Sequence, residues 1–201
     1  VHGSPGYQAS DDFPTDIQVL NGEGNTDAVV TDTFPGSINR YSGGGYTIME
    51  RVVEDVTGND FAIYMQNEIL GPYGMRHSTY AQPLPQDKVD QASFAFGESG
   101  ELYDGNYHNY PEQAAAGLWT TPSDLAMFLI GIQEAFHGKS ESILNQEMAK
   151  VFLTRDSLGH GHGPGIRGEG EKMGFGHGGK NAGFTCNMFA SANDGYGMVI
   201  M

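Results

Sequence analysis

The 201-residue sequence predicts a fold of the α/β class, of the α+β type, in which a mainly helical part is followed by an antiparallel sheet. Apolar residues recur at helical spacing after residue 43 and again after Pro122. Near the end of the chain, the N-D-G-Y-G turn of residues 193–197 separates two strand-like runs, as in a β-hairpin. We therefore predict helices and loops over residues 1–170 and strands of the antiparallel sheet over residues 171–201.

The first half of the chain contains signals for three helices. A short helix is predicted over residues 16–20, a longer one that begins after Tyr41 and stops at Thr57-Gly58, and a third after Asp60. Glycine suits the left-handed position after a helix, and aspartate suits the position that caps one. The longer helix is expected to bury the apolar face formed by Met49, Val52, Val53 and Val56. The third is expected to bury Phe61, Tyr64, Met65 and Ile69.

The second half of the chain begins with a strongly marked helix. Thr121 is its predicted N-cap, Pro122 its first residue, and Asp124 closes a capping box. Its predicted buried face consists of Leu125, Phe128, Leu129, Ile132 and Phe136. A further helix at about residues 145–153 is expected to bury Met148 with Val151 or Phe152. Residues 154–175 have the composition of loops, whereas residues 185–190 and 197–201 have that of strands.

The composition is strongly acidic, with 25 Asp and Glu against 10 Lys and Arg. This balance argues against binding to nucleic acid or to an anionic membrane surface, because both need a basic face. It is compatible with solubility at high salt, a hypothesis that equal stability and solubility at low and high salt would contradict. The longest apolar run, residues 125–132, is too short to span a bilayer. The single cysteine, Cys186, allows no intrachain disulfide and is interpreted as a small buried strand residue.

Tyr41 lies between a Pro-Gly turn at residues 35–36 and the glycines of residues 43–45. Glycines leave space where backbone or a ligand must come close. A phenol held rigidly at the start of a helix is well placed to transfer protons. On the local pattern alone, the simpler interpretation is favoured, namely a flexible glycine loop with a packing tyrosine.

The long irregular segment of residues 81–111 is rich in aromatic residues. Either these residues line a substrate cleft, or they pack a surface loop against itself. The candidates are Phe94, Phe96, Tyr103, Tyr107, His108 and Tyr110.

Metal binding and other hydrolase signatures find little support in the sequence. His160 and His162 could place two imidazoles near one ion, but no cysteine or carboxylate at ligand spacing accompanies them. A glycine-rich surface loop is therefore favoured there, and His2 is likewise interpreted as a loop residue. Neither a G-x-S-x-G elbow nor an S-x-x-K motif occurs in the 201 residues. We predict no cofactor.

Four blocks of sequence, in this order, resemble the serine β-lactamase family, the group of class C β-lactamases, D,D-peptidases and esterases. The first two are F-P-G-S leading to Y-S-G-G-G-Y within residues 34–46, and V-T-G followed by I-L-G-P-Y-G-M-R-H-S-T within residues 56–79. The others are A-A-G-L-W-T-T-P-S-D-L at residues 115–125 and F-G-H-G-G-K-N-A-G-F at residues 175–184. The resemblance implies the β-lactamase/transpeptidase-like fold, with this chain covering mostly a helical domain and part of the antiparallel sheet.

The first block carries the proton-transfer residue that the resemblance implies. Tyr41 matches the tyrosine of a Tyr-x-Asn motif, which takes or gives a proton during acyl transfer. Gly43 stands where the asparagine is usual, so the amide that would hold a substrate side chain is missing. Gly43 and Tyr107 are assigned to the substrate cleft.

The fourth block carries the substrate strand that the resemblance implies. His177-Gly178-Gly179 matches the His-x-Gly form of the family's third motif, as in its esterase and peptidase members. Gly178 and Gly179 would let a substrate backbone lie against the strand. The backbone N–H of Lys180 would be one oxyanion donor.

The nucleophile motif of the family, S-x-x-K, is expected outside these residues, and residues 1–3 resemble the loop that follows it. The resemblance therefore implies a fragment of a serine hydrolase that forms an acyl-enzyme with esters, amides or D-amino-acid peptides, and that needs the missing segment of its own protein. One alternative is a non-catalytic module that binds a peptide or cell-wall fragment on the same fold. A weaker alternative is a metal site at His160 and His162. Exported family members suggest the periplasm or the exterior, although the sequence leaves the compartment open.

Overall fold

The computed structural model describes residues 4–201, so the predictions for residues 1–3, including the loop role of His2, lie outside the described residues. The α-helices are α1 (Asp16–Leu20), α2 (Gly43–Thr57), α3 (Phe61–Met65), α4 (Gln86–Val89), α5 (Gln113–Ala116), α6 (Pro122–Phe136) and α7 (Gln146–Phe152). The strands are β1 (Gly165–Arg167), β2 (Gly174–Asn181), β3 (Phe184–Ser191) and β4 (Gly197–Ile200). They form one sheet in the order β1-β2-β3-β4, with antiparallel β1–β2 and β3–β4 pairs. The predicted combination of helices with an antiparallel sheet is confirmed.

Contacts group the described residues into two compact units that do not follow the predicted division at residue 170, which stays a prediction. The first unit contains the residues up to Gln66, together with Thr79–Trp119 and Lys180–Phe184. In this unit α2 packs against α1, α3 and α5. The second unit contains Asn67–Ser78, Thr120–Gly179 and Thr185–Met201, and there α6 packs against α7 and β4.

Helix α2 forms where it is predicted, but the face that it buries differs from the predicted one. Met49, Val52 and Val56 are 56%, 54% and 80% exposed, whereas the buried residues are Gly44, Thr47 and Glu50. A Cβ atom at Gly44 would lie 2.6 Å from the side chain of Val29, so the missing side chain permits close packing. The apolar spacing therefore identified one face of α2, but the small and polar residues of another face make the contacts of this helix.

The C-terminal end of α2 follows the predicted capping, whereas its N-cap, Ser42, was not predicted. The side chain of Ser42 accepts a hydrogen bond from the Gly45 N–H at 3.0 Å. After the last turn, Gly58 adopts a left-handed conformation with φ of 69°. Asp60 then caps α3 by accepting from the Ile63 N–H at 3.2 Å. These short-range contacts fix where α2 begins, one residue after the Tyr41–Ser42 pair, and where it ends.

Helix α6 confirms its predicted N-cap and apolar face but not its capping box. Thr121 accepts from the Asp124 N–H, and Leu125, Leu129 and Ile132 are buried. The carboxylate of Asp124 does not turn back to Thr121. Its Oδ2 accepts from the His77 N–H and from the Ser78 hydroxyl, both at 2.7 Å.

Two further predictions in the second unit are wrong. In α7, Met148 and Val151 are 50% and 45% exposed, the alternative Phe152 is half-buried, and Ala149 is fully buried. Strand β1 lies within the segment predicted as loop. It has only three residues and a single apolar side chain, Ile166, so its composition carries no strand signal. No helix within residues 4–201 is long and apolar enough to cross a membrane.

Candidate active site

Tyr41 lies immediately before the residue that caps α2. Its side chain is 67% exposed, and the next residue, Ser42, is the N-cap. Gly43 is the first residue of the helix, and Gly44 packs on Val29. The backbone beside Tyr41 is therefore held by the helix start while its phenol reaches the surface of the first unit.

The predicted substrate strand is the second half of β2. The register of β1 with β2 ends at the Gly165–Gly176 pair. Gly178 and Gly179 therefore continue β2 beyond its β1 partner, and the residues from His177 to Lys180 are all exposed. One strand thus presents an open stretch of backbone that contains the predicted motif.

Internal packing does not require glycine at the two motif positions. A Cβ atom at Gly178 would come no closer than 3.6 Å to the side chain of Asn187, and one at Gly179 would lie 3.8 Å from the Cys186 Sγ. Both distances are ordinary van der Waals contacts. Cys186 lies in a strand, β3, as predicted, but it is half-buried rather than buried. This partial burial raises the pKa of its thiol. The absent side chains at Gly178 and Gly179 therefore leave space on both faces of the strand, one glycine on each.

The turn that follows the motif is held at three points within the first unit. The Asn181 Nδ2 donates to the Ala116 carbonyl at 2.9 Å, and the Tyr110 hydroxyl accepts from the Ala182 N–H at 3.0 Å. Gly183, with φ of 74°, approaches so closely that a Cβ atom there would lie 2.6 Å from the Ala95 Cβ. These contacts fix the end of the strand hairpin against the loop of residues 95–116.

Three aromatic side chains of the first unit, Tyr107, Trp119 and Phe184, form what we call the aromatic cluster. The ring centroids of Tyr107 and Trp119 are 4.9 Å apart, those of Trp119 and Phe184 are 5.8 Å apart, and both pairs are edge-to-face. All three residues are half-buried. Burial raises the pKa of the Tyr107 phenol, so the cluster is uncharged at neutral pH.

The remaining aromatic candidates of the long loop divide between the two predicted interpretations. Phe94 and Phe96 are 51% and 52% exposed, whereas Tyr110 is buried. The rings of Tyr103 and His108 pack edge-to-face at 5.2 Å. The loop therefore packs partly on itself and contributes Tyr107 to the aromatic cluster. Trp119, which the sequence did not single out, could only have been found through its long-range contact with Phe184.

A pair of buried acids lies beneath the α2–α5 contact and was not predicted. Glu50 is 2% exposed, and its Oε2 accepts from the Ala114 N–H at 2.9 Å. Burial raises the pKa of Glu50 to about 8, with repulsion from Asp16, Glu54 and Glu112 acting in the same direction. Glu112 is also buried, and its Oε2 has no hydrogen-bond partner. The only sign of this burial in the sequence is that Glu50 follows Thr47 by three residues, which places both on the same face of α2.

The candidate histidines of the metal alternative lie in an exposed turn. The Asp156 carboxylate accepts from the N–H groups of Leu158 and His160, each at 2.9 Å, and these bonds, with that of His160 the stronger influence, lower the pKa of Asp156. Within the part of the chain that the structure describes, no group of three or more His, Cys, Asp or Glu side chains could hold a metal ion.

The predicted site residues fall in both units. Tyr41, Gly43, Tyr107 and Lys180 belong to the first, and His177, Gly178 and Gly179 to the second. The structure places the last three beside Lys180 in one strand and places Tyr107 in the aromatic cluster. The catalytic and substrate-binding roles of these residues stay predictions.

A known protein family matches nearly the whole chain. The sequence model described as Beta-lactamase matches residues 2–201. This chain belongs to the Beta-lactamase family. The resemblance found in the four sequence blocks is thereby confirmed.

Two curated relatives of the Beta-lactamase family chain are named as hydrolytic enzymes. The Staphylococcus aureus teichoic acid D-alanine hydrolase is 25% identical over 100 residues, which cover 47% of this chain and 24% of that protein. A putative D-alanyl-D-alanine carboxypeptidase of Escherichia coli strain K12 is 27% identical over 136 residues, covering 64% of this chain and 31% of that protein. The chain therefore spans about a quarter to a third of these relatives.

Solved structures share the fold at lower identity. A penicillin-binding protein homologue from Pyrococcus abyssi has a TM-score of 0.70 at 21% identity, covering 94% of this chain and 44% of that one. A D-stereospecific amidohydrolase from Streptomyces sp. has a TM-score of 0.71 at 20% identity, covering 94% and 56%. These likenesses confirm the β-lactamase/transpeptidase-like fold.

Proposed function

We propose that this chain is part of a serine hydrolase that forms an acyl-enzyme with esters, amides or D-amino-acid peptides. The observation that carries the proposal is the open stretch of β2, where Gly178 to Lys180 continue past the last residue paired with β1. An extended substrate can pair its backbone with such a strand. The names of the curated relatives, a D-alanine hydrolase and a putative D-alanyl-D-alanine carboxypeptidase, support D-amino-acid derivatives as the substrate class.

The strand would serve both binding and catalysis. Gly178 and Gly179 carry no side chain that would keep a substrate backbone away. The Lys180 N–H would donate to the carbonyl oxygen of the substrate as that oxygen becomes negative. A donor fixed in a strand before the charge develops lowers the barrier without reorganisation. His177 would contact the substrate at the start of the same stretch.

Tyr41 would move the proton of the acyl-transfer step. As a serine oxygen bonds to the substrate carbonyl carbon, its proton passes to the tyrosine oxygen, and the phenol's own proton passes on to the alcohol or amine, whose bond to the carbonyl carbon breaks. Water then releases the acid by the reverse path, which restores the serine. The exposed ring of Tyr41, on a backbone fixed by the start of α2, is accessible for this exchange.

The serine and its lysine are proposed to lie outside these 201 residues, because no S-x-x-K occurs within them. The full-length protein should therefore gain the mass of one acyl group when it is treated with an activated ester or a penicillin-type probe. Residues 1–201 alone should gain none. A stable adduct on residues 1–201 alone would place the nucleophile within them and contradict this assignment.

The His177 side chain provides a sharper test of the site. His177→Ala in the full-length protein should lower turnover by at least about tenfold while the urea unfolding midpoint stays the same. His162→Ala, in the exposed turn, is the matched control and should leave turnover unchanged. Equal turnover in both variants and in the unaltered protein would remove His177 from the site.

The alternative function is a module that holds a peptide or cell-wall fragment on the same strand without reacting with it. The open stretch of β2 would support this binding equally well. A full-length protein that binds D-alanyl peptides but is never acylated would favour the module over the hydrolase.

A further inference from the structure

The aromatic cluster lies at the end of the proposed substrate strand. Strand β2 ends at Asn181 and β3 begins at Phe184, with only Ala182 and Gly183 between them. Lys180 is therefore one residue, or about 3.3 Å along the strand, from Asn181, the last residue of β2 before the turn that Phe184 closes. Lys180, Phe184 and the other two aromatic residues all belong to the first unit.

The cluster is held rigidly, which a binding surface requires. Trp119 exchanges two backbone hydrogen bonds of 2.9 Å with Thr79. Phe184 follows the turn that Tyr110 and Asn181 anchor by hydrogen bonds. Ordering these rings when a ligand binds therefore costs little additional entropy.

We infer that the aromatic cluster receives the apolar side chain of the substrate's acyl group, so that aromatic or large aliphatic D-aminoacyl derivatives are the preferred substrates. The inference rests on the proposed hydrolase function. Half-buried rings in edge-to-face contact leave part of their surface to pack against another apolar group. Phe184 follows Lys180 by four residues across the hairpin turn, so the end of the proposed substrate strand and the aromatic cluster are adjacent in the chain.

The chemistry of the surroundings favours an uncharged ligand group. The three rings carry one hydroxyl, that of Tyr107, and a phenol is protonated at neutral pH; burial raises the pKa of Tyr107 further. A negatively charged substrate side chain would lose hydration against these rings without gaining a partner from them. Small side chains such as that of alanine would leave the rings uncovered.

Hydrolysis of D-phenylalanine amide and D-alanine amide by the full-length protein tests the inference, because these substrates differ by one phenyl group. The ratio of their kcat/KM values should favour D-phenylalanine amide. It should fall about tenfold in Tyr107→Ala and in Phe184→Ala. Tyr196→Ala, which alters an exposed aromatic residue in the other hairpin turn, is the matched control and should keep the ratio. If the alanine variants fail to fold, Tyr107→Leu and Phe184→Leu carry the comparison.

The fluorescence of Trp119 provides a readout that needs no turnover. Trp119 is the single tryptophan of this chain, and subtraction of the Trp119→Phe signal isolates it in the full-length protein. D-Phenylalanine should change the Trp119 emission with a saturable concentration dependence, whereas D-alanine at equal occupancy, measured by inhibition, should not.

The outcomes separate the two levels of the proposal. If the full-length protein hydrolyses neither amide and is not acylated, the proposed function is refuted, and this inference with it. If it hydrolyses both amides but the ratio is the same in the cluster variants and in Tyr196→Ala, the hydrolase assignment stands and the aromatic cluster is not the acyl side-chain site. An unchanged Trp119 emission at saturating D-phenylalanine would lead to the same rejection.

Discussion

Glu50→Gln should stabilise the protein at alkaline pH and change its stability little at acidic pH. The carboxyl of Glu50 is 2% exposed, and burial raises its pKa from 4.5 to about 8. Between these two pH values the unfolded chain has released the Glu50 proton, while the folded protein still holds it. The folded state then binds more protons than the unfolded state, so the free energy of unfolding falls as pH rises.

The size of this effect follows from the interval between the two pKa values. Each pH unit within it removes about 1.4 kcal/mol from the free energy of unfolding. Over the interval of about 3.5 pH units, the loss reaches about 5 kcal/mol, and above pH 8 it stays constant. Glutamine has nearly the same shape, keeps an oxygen that can accept from the Ala114 N–H, and carries no charge at any of these pH values.

Urea unfolding of the unaltered protein and of Glu50→Gln, at intervals between pH 5 and pH 9, measures the effect. The difference in free energy of unfolding should grow in favour of the variant up to about pH 8 and then level off. Glu141→Gln, at an exposed loop position, is the control and should give a curve parallel to that of the unaltered protein. Parallel curves for Glu50→Gln as well would show that Glu50 ionises normally in the folded protein and would refute the reasoning.

Three further substitutions give expected outcomes. Tyr41→Phe in the full-length protein should lower the rate of acyl transfer by about 10²-fold or more, measured by stopped-flow acylation; near-normal turnover would defeat the proton-transfer assignment. Asp124→Ala should lower the free energy of unfolding by about 3 kcal/mol in urea titrations, because the His77 N–H and the Ser78 hydroxyl lose a buried acceptor. A loss below about 1 kcal/mol would mean that water replaces the carboxylate. Gly179→Ala should leave stability equal or slightly higher while turnover falls, and a destabilised sheet would contradict the contact distances around Cys186.

Signals within a few residues were sufficient to predict most helix ends. The caps at Asp60–Ile63 and Thr121–Asp124 depend on side chains that reach only three residues along the chain. The same proximity explains why the turn glycine Gly58 could be assigned from the sequence. Local chemistry of this kind is independent of the rest of the fold.

Contacts between distant segments were not predictable in the same way. Asp124 had a plausible local partner in Thr121, but Ser78 and His77, more than 40 residues away, take its carboxylate. The buried face of α2 depends on Val29 and on α5, so its apolar spacing alone pointed to the wrong side. Trp119 and Phe184 are likewise far apart in the sequence although their rings are in contact. For that reason the motif residues were found from the sequence, whereas the aromatic cluster was not.

The ordinary contact distances at Gly178 and Gly179 mean that selection for folding and selection for substrate binding act differently on these two positions. Because the sheet would accept a methyl group at either position, folding places no demand on these residues, and mutations there are exposed to selection only through the molecules that the strand meets. Descendants of this protein could therefore alter their substrate range at these two positions without first acquiring a compensating change in the core. The exposed strand can therefore change by single substitutions. A substitution of the buried Asp124 would instead leave the His77 N–H and the Ser78 hydroxyl without their acceptor.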